Sequence, residues 1–112
     1  MRRKIVAGNW KLHGDRAFAH QLVDAIAAGS PSAAVELVIL PPLPYLGELV
    51  EHCAGSVLRF GAQDVSANTQ GAYTGEVSAS MLVDVGAKYG LVGHSERRQY
   101  HREISELVAK KF

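Results

Sequence analysis

In "LVGHSERRQY", Leu91 to Tyr100, an apolar pair and a glycine run directly into a histidine, a serine and three charged residues. A short apolar run halted by glycine and followed by a helix-starting segment reads as a buried strand giving way to a helical turn. The strand spans Tyr89 to Gly93. His94 stands at the junction, and Ser95 is placed to cap whatever turn "ERRQ" begins.

Outward from that junction the same pattern recurs three times. Lys4 to Ala7 reads as a strand, followed by "GNWKLHG", Asp15 as an N-cap, and a helix with Phe18, Leu22, Val23 and Ile26 on one face and Gly29 as its stop. Val35 to Leu40 is a second strand, halted by Pro41-Pro42, with a helix from about Tyr45 to Cys53 burying Leu46, Leu49 and Val50. Val57 to Ala62 is a third, followed by the polar loop "QDVSANTQGAYTGE" and a short helix from Ser78 carrying Met81, Leu82 and Val85. After the fourth strand, Ile104, Leu107, Val108 and Phe112 keep helical spacing within Glu103 to Phe112.

Strands that are continuous apolar runs are expected to be buried on both faces, and their alternation with helices implies parallel pairing. The class is α/β. An open sheet with helices on both sides and a piece of a closed (β/α)8 barrel both fit this periodicity.

With 112 residues, 47% of them hydrophobic, the chain has the composition of one modest globular domain. Twelve Lys+Arg against 11 Asp+Glu leave a formal charge of +1, and the basic runs are short, so nucleic acid is not the expected partner. The apolar run Ile5-Val6-Ala7 falls short of the roughly 7 to 15 residues that a signal peptide needs, so a cytoplasmic protein without a membrane role is expected. Cys53 is the one cysteine and reads as a small apolar side chain on a helix face. His13, His20, His52 and His101 have no metal-ligand spacing and read as surface or cap residues.

In α/β folds chemistry gathers at the carboxyl ends of the strands. Asn9 and Lys11 follow the first strand, Gln63 and Asp64 the third, and His94, Ser95 and Glu96 the fourth. If the first strand ran on, Asn9 and Lys11 would leave it on the same side. A lysine beside an amide suits a small anion, supplying a point charge and a neighbouring donor. An imidazole near a helix N-terminus feels positive partial charge, which favours its neutral form. Such a ring donates a hydrogen bond to a carbonyl oxygen without surrendering a full proton. Trp10 reads as packing, and Glu96 as a first-turn carboxylate within reach of Lys11.

"AGNWK", "GAYTGE" and "GHSERR", in this order and spacing, make the sequence resemble the triosephosphate isomerases over essentially all 112 residues. The resemblance implies the N-terminal half of a (β/α)8 TIM barrel. It also implies interconversion of dihydroxyacetone phosphate and D-glyceraldehyde 3-phosphate, a step of glycolysis and gluconeogenesis, through an enediolate and with no metal or organic cofactor. Asn9 and Lys11 would bind the phosphorylated triose, His94 would be the electrophile, a role for which the family is known, and Glu96 would hold the surroundings of Lys11. "GAYTGE" is similar to the family's interdigitating loop, so a homodimer is implied, with Thr74 approaching the other subunit's site and Glu76 meeting Arg97 across the interface. Asp64 stands where many members have asparagine, and His101 and Arg102 where phenylalanine and glycine are common. These departures bear on packing after the fourth strand.

A barrel of this type takes about 250 residues. The resemblance therefore implies that residues 1–112 form the part of a single domain from its first strand to its fourth main helix. Four βα units would then be absent from this chain, and with them the glutamate base, the closing lid and the glycine-rich phosphate turns. A complementary C-terminal fragment is an expected partner. The competing reading is a non-enzymatic half-barrel serving as a structural or oligomerising module.

Overall fold

The computed structural model describes residues 2–29 and 34–112. Its first strand, β1, spans Lys4–Asn9 and pairs in parallel with β2, Val35–Leu40, setting Ala7 beside Val38 and Asn9 beside Leu40. The third, β3, is Arg59–Ala62, parallel to β2, and β4, Tyr89–Gly90, is parallel to β3. Spatial order therefore follows chain order, β1-β2-β3-β4. That order separates the two architectures left open by periodicity. A doubly wound sheet reverses its strand order at a switch point, whereas a barrel adds each strand on the same side of the last. The described strands show no reversal, and they form half a barrel wall with β1 and β4 as its open edges.

Helix α1, Arg16–Ala28, starts where Asp15, in extended conformation, accepts the Phe18 N–H at 2.8 Å. It ends where Gly29 N–H returns to Ala25 O at 3.0 Å. Ala19 and Val23 on its inner face are fully buried. Helix α2, Leu43–His52, begins two residues earlier than expected because Pro44 falls in the first turn, where amide N–H groups have no helical partner to lose. Leu46 and Leu49 of α2 join Ile39, Leu58, Phe60 and Leu82 in the core. Burying each such side chain contributes about 1.5–3 kcal/mol.

Gly61 sits where β3 and β4 approach most closely. A Cβ there would meet Tyr89 O at 2.6 Å and Leu40 Cδ2 at 2.7 Å, so the strand pairing requires glycine.

Several expectations need correction. The apolar residues of β1 are not covered on both faces: Ile5 and Val6, which point to opposite faces, are each more than half exposed. The third and fourth strands are shorter than expected, with Val57 exposed ahead of β3 and Leu91 to Gly93 beyond β4. Helix α3, Ala79–Asp84, is capped by Ser78, whose Oγ accepts Met81 N–H at 3.3 Å. Its six residues turn only Leu82 into the core, while Met81 and Val85 face outward. After α4, Ser95–Tyr100, the last helix α5 covers Ser105–Lys111; Leu107 and Val108 are half-buried, but Ile104 and Phe112 are exposed. No described helix is long and apolar enough to cross a membrane.

Candidate active site

The carboxyl ends of the strands open into a cavity of about 1090 Å³ whose lining includes Asn9, Lys11, Gln63, His94, Glu96 and Arg97. Apart from Ser95, the residues singled out at three separate strand ends thus share one space.

Lys11 does not arrive there by strand alternation. β1 stops at Asn9, and Lys11 takes a φ of 56°, the left-handed region that non-glycine residues avoid. Such backbone costs on the order of 1–3 kcal/mol and persists only where its surroundings fix it. Here they do. Asn9 Oδ1 accepts Lys11 N–H at 2.9 Å, and Gln63 Nε2 donates to Lys11 O and to Leu40 O, each at 2.9 Å. Trp10 N–H also donates to Leu40 O at 3.1 Å, and its ring packs edge-on against Phe18 with centroids 6.0 Å apart. The sequence placed Gln63 at a strand end but gave it no role. Its signal was a neutral amide at the end of a buried apolar run; that it reaches back 52 residues to Lys11 is tertiary information.

His94, and not Ser95, is the N-cap of α4. Its Nδ1 accepts Glu96 N–H at 3.1 Å, a position in which a serine had been expected, while Ser95 is the first helical residue. An accepting Nδ1 carries no proton, so the neutral ring holds its proton on Nε2 and keeps a donor there. This is the form a neutral electrophile needs.

Glu96 joins the two arms. Its Oε1 lies 2.7 Å from Lys11 Nζ, and its Oε2 is 3.5 Å from His94 Nδ1, longer than that nitrogen's bond to the backbone. The hydrogen bond from Lys11 holds the Glu96 carboxyl below the usual carboxylate range against the opposing effect of burial, with the charge of Lys11 adding to it. Because both side chains of this pair are about half exposed, its value is positional more than energetic.

Behind α4 lies a second charged group. Arg97 contacts Glu103 at 2.8 Å and Asp64 at 3.2 Å, and Lys111 contacts Glu103 at 2.6 Å and Asp64 at 2.8 Å. Glu103 is 5% exposed. Burial pushes its carboxyl up, but hydrogen bonds from Lys111 and Arg97 outweigh burial and hold it below the usual range. Burial likewise opposes the Lys111 ammonium, and hydrogen bonds to Asp64 and Glu103 win, raising its pKa. Two cations meet two anions, so Asp64, one of the departures from the family pattern, is used as a carboxylate. Arg102, another departure, adopts a φ of 55°, the conformation a glycine takes without strain. His101 is the C-cap of α4, donating its N–H to Arg97 O at 2.9 Å.

The loop residues stand apart. Thr74 is exposed and outside the cavity lining, and Glu76 accepts a hydrogen bond from Ser66 Oγ within the same loop. Arg97 is occupied by Asp64 and Glu103 of its own chain. Of the remaining histidines, His20 and His52 meet edge-to-face between α1 and α2, with centroids 4.4 Å apart, and bond Glu48 and Asp24. Cys53, half-buried at the end of α2, has its thiol pKa pushed up by burial and then by Asp24.

The family described as triosephosphate isomerase matches residues 4–112. The chain belongs to the triosephosphate isomerase family. It is 75% identical, over all 112 residues, to triosephosphate isomerases of Xanthomonas campestris pv. campestris (strain 8004) and Xanthomonas axonopodis pv. citri (strain 306). To that of Stenotrophomonas maltophilia (strain R551-3) it is 72% identical over the same span. In each case the match covers 45% of the relative's length. The chain thus spans less than half of the triosephosphate isomerases it resembles, and its four strands correspond to the N-terminal half of their barrel.

Proposed function

We propose that residues 1–112 are the N-terminal part of a single barrel domain and supply one wall of a triosephosphate isomerase active site. The observation that carries this reading is that Lys11 and His94, from opposite edges of the sheet, meet on one cavity through Glu96. In this reading Asn9 and Lys11 bind a phosphorylated triose, with the Lys11 ammonium opposite its anionic oxygens. The Nε2–H of His94 donates to the substrate carbonyl oxygen. When a base from the remainder of the barrel removes the adjacent carbon-bound proton, negative charge builds on that oxygen, and a fixed donor already aimed at it lowers the barrier. Lys11 offsets the same charge, and Glu96 keeps Lys11 in place. No metal or organic cofactor takes part.

The enzyme so completed is a cytoplasmic homodimer. Thr74 approaches the neighbouring subunit's site, and Glu76 exchanges its Ser66 partner for Arg97 across the interface. A separate polypeptide carrying the other four βα units is the partner that would complete the barrel when residues 1–112 occur alone.

The test is turnover. Purified residues 1–112 alone are expected to show no isomerase activity, because removing a positioned acid-base group typically costs about 10² to 10⁴ in rate and the lid and phosphate turns are lost as well. Adding the remaining βα units should restore it, and mass spectrometry of an active sample should find that second polypeptide. Turnover by residues 1–112 alone near the rate of the completed enzyme would overturn the proposal. A well-folded, inert species that no complementary polypeptide activates would favour a structural module instead.

A further inference from the structure

The mount of His94 is not the strand that leads to it. β4 ends at Gly90, four residues before His94, so the ladder fixes neither Gly93 nor the peptide from which the imidazole departs. We propose that Arg98, which lines no part of the cavity, is the positioning residue that replaces the strand there; the inference rests on His94 acting as the electrophile.

Arg98 Nε donates to Gly93 O at 2.9 Å, and Arg98 Nη1 donates to Ser105 Oγ at 3.2 Å. Gly93 O belongs to the same peptide plane as the N–H of His94, so that bond fixes the plane on the N-terminal side of the histidine. On the other side, His94 O accepts the N–H groups of Arg97 at 2.9 Å and of Arg98 itself at 3.1 Å. Arg98 therefore holds one plane flanking the His94 Cα with its side chain and shares the other with Arg97 through its backbone, and the ring is held by Glu96 N–H. The turn has no slack. Gly93 has a φ of 67°, and a Cβ there would meet Val108 Cγ1 at 2.7 Å and Arg98 Nη2 at 3.1 Å. Arg98 thus ties the histidine turn to the first residue of α5 with a planar fork whose two donors point in fixed directions, a geometry one ammonium does not reproduce. Its side chain is exposed, so its effect is on aim more than on stability.

In the enzyme completed with the remaining βα units, Arg98→Ala should lower kcat about tenfold and leave KM within about twofold, since misplacing a reacting group by about 1 Å costs up to about 10²-fold. The ¹⁵N spectrum of the His94 ring should lose the signature of a single Nε2–H tautomer. Arg98→Lys, able to reach Gly93 O or Ser105 but not both, should recover part of kcat, and Ser105→Ala should show a smaller loss of the same kind. If Arg98→Ala does not fold, the last two variants carry the test. Unchanged kcat and unchanged ring signals, or kcat and KM worsening together with a lowered Tm, would overturn the inference. A His94→Gln variant run beside them separates the two claims: if it keeps full kcat, the electrophile reading fails; if it is crippled while the Arg98 variants are normal, only the role of Arg98 fails.

Discussion

The two arms of the site are held by different means. The Lys11 arm has a strained backbone fixed by neutral groups, Asn9 two residues away and Gln63 just past the third strand. The His94 arm has an unstrained N-cap fixed by its own short helix, and that helix is fixed in turn by an ion cluster in which Glu103 and Lys111 are buried and Arg97 and Asp64 partly so. One arm depends on uncharged hydrogen bonds across the sheet, and the other on local bonds backed by a charge cluster. Orienting a side chain on the cavity can thus be separated from how costly its support is to disturb.

The largest effect should come from breaking the ionic support. Glu103→Ala leaves Arg97 and the mostly buried Lys111 with Asp64 as their remaining carboxylate, and removing one partner of a buried ion pair costs up to about 3–5 kcal/mol. Chemical denaturation of the completed barrel would measure it. A loss below about 1 kcal/mol would mean that the cluster does not anchor the His94 arm.

Breaking the neutral support should cost less stability and more function. Gln63→Ala strips the Gln63 donor from Lys11 O and one of two donors from Leu40 O, which keeps Trp10 N–H, and losing such hydrogen bonds costs about 0.5–1.5 kcal/mol each. The left-handed turn should relax, and binding and turnover should both fall because Lys11 moves. Denaturation combined with steady-state kinetics checks this, and normal kinetics would show that Lys11 holds its conformation unaided.

Acidity should distinguish the arms without mutation. The pKa of Glu103 is lowered by folding, so its contribution to stability is present in full above the unfolded value of about 4.3 and is lost as pH falls through the lower folded value. Lys111 is raised, so its contribution is present in full below about 10.4 and lost as pH rises through the higher folded value. Neither Gln63 nor Asn9 titrates. Hydrogen exchange should therefore show the amides of Arg97 and His101 losing protection at low pH before those of Trp10 and Lys11. The reverse order would contradict the division of labour.

The smallest effect tests a part that serves neither arm. Asp15→Ala removes the α1 N-cap and should cost about 1 kcal/mol with kinetics unchanged.

The contrast between the arms also explains what was legible in the sequence. Asp15 and Ser78 announced their helices because an N-cap is a local bond over three residues. Strand order in space is not local, yet repeated βα units limited it to two architectures, and the three motifs selected one. Asn9, Lys11, His94 and Glu96 were legible because polar residues followed apolar runs. The conformation of Lys11 was not, since the Gln63 bond that supports it spans 52 residues, nor was the Lys111–Asp64 pair, which spans 47. His94 taking the capping position from Ser95 was hidden for another reason. Both residues can accept the bond, and only the placement of the helix start decides between them.

The most direct test of the account compares Lys11→Ala with His94→Gln, each in the enzyme completed with the remaining βα units, by steady-state kinetics. If Lys11 supplies charge to substrate and transition state alike, its loss should damage KM and kcat together. If His94 acts only as charge develops on the carbonyl oxygen, His94→Gln should keep KM within about threefold and lose about 10² to 10⁴ in kcat. A His94→Gln protein with raised KM and intact kcat would contradict the account, because the histidine would then be a binding group and the two arms would not differ in function.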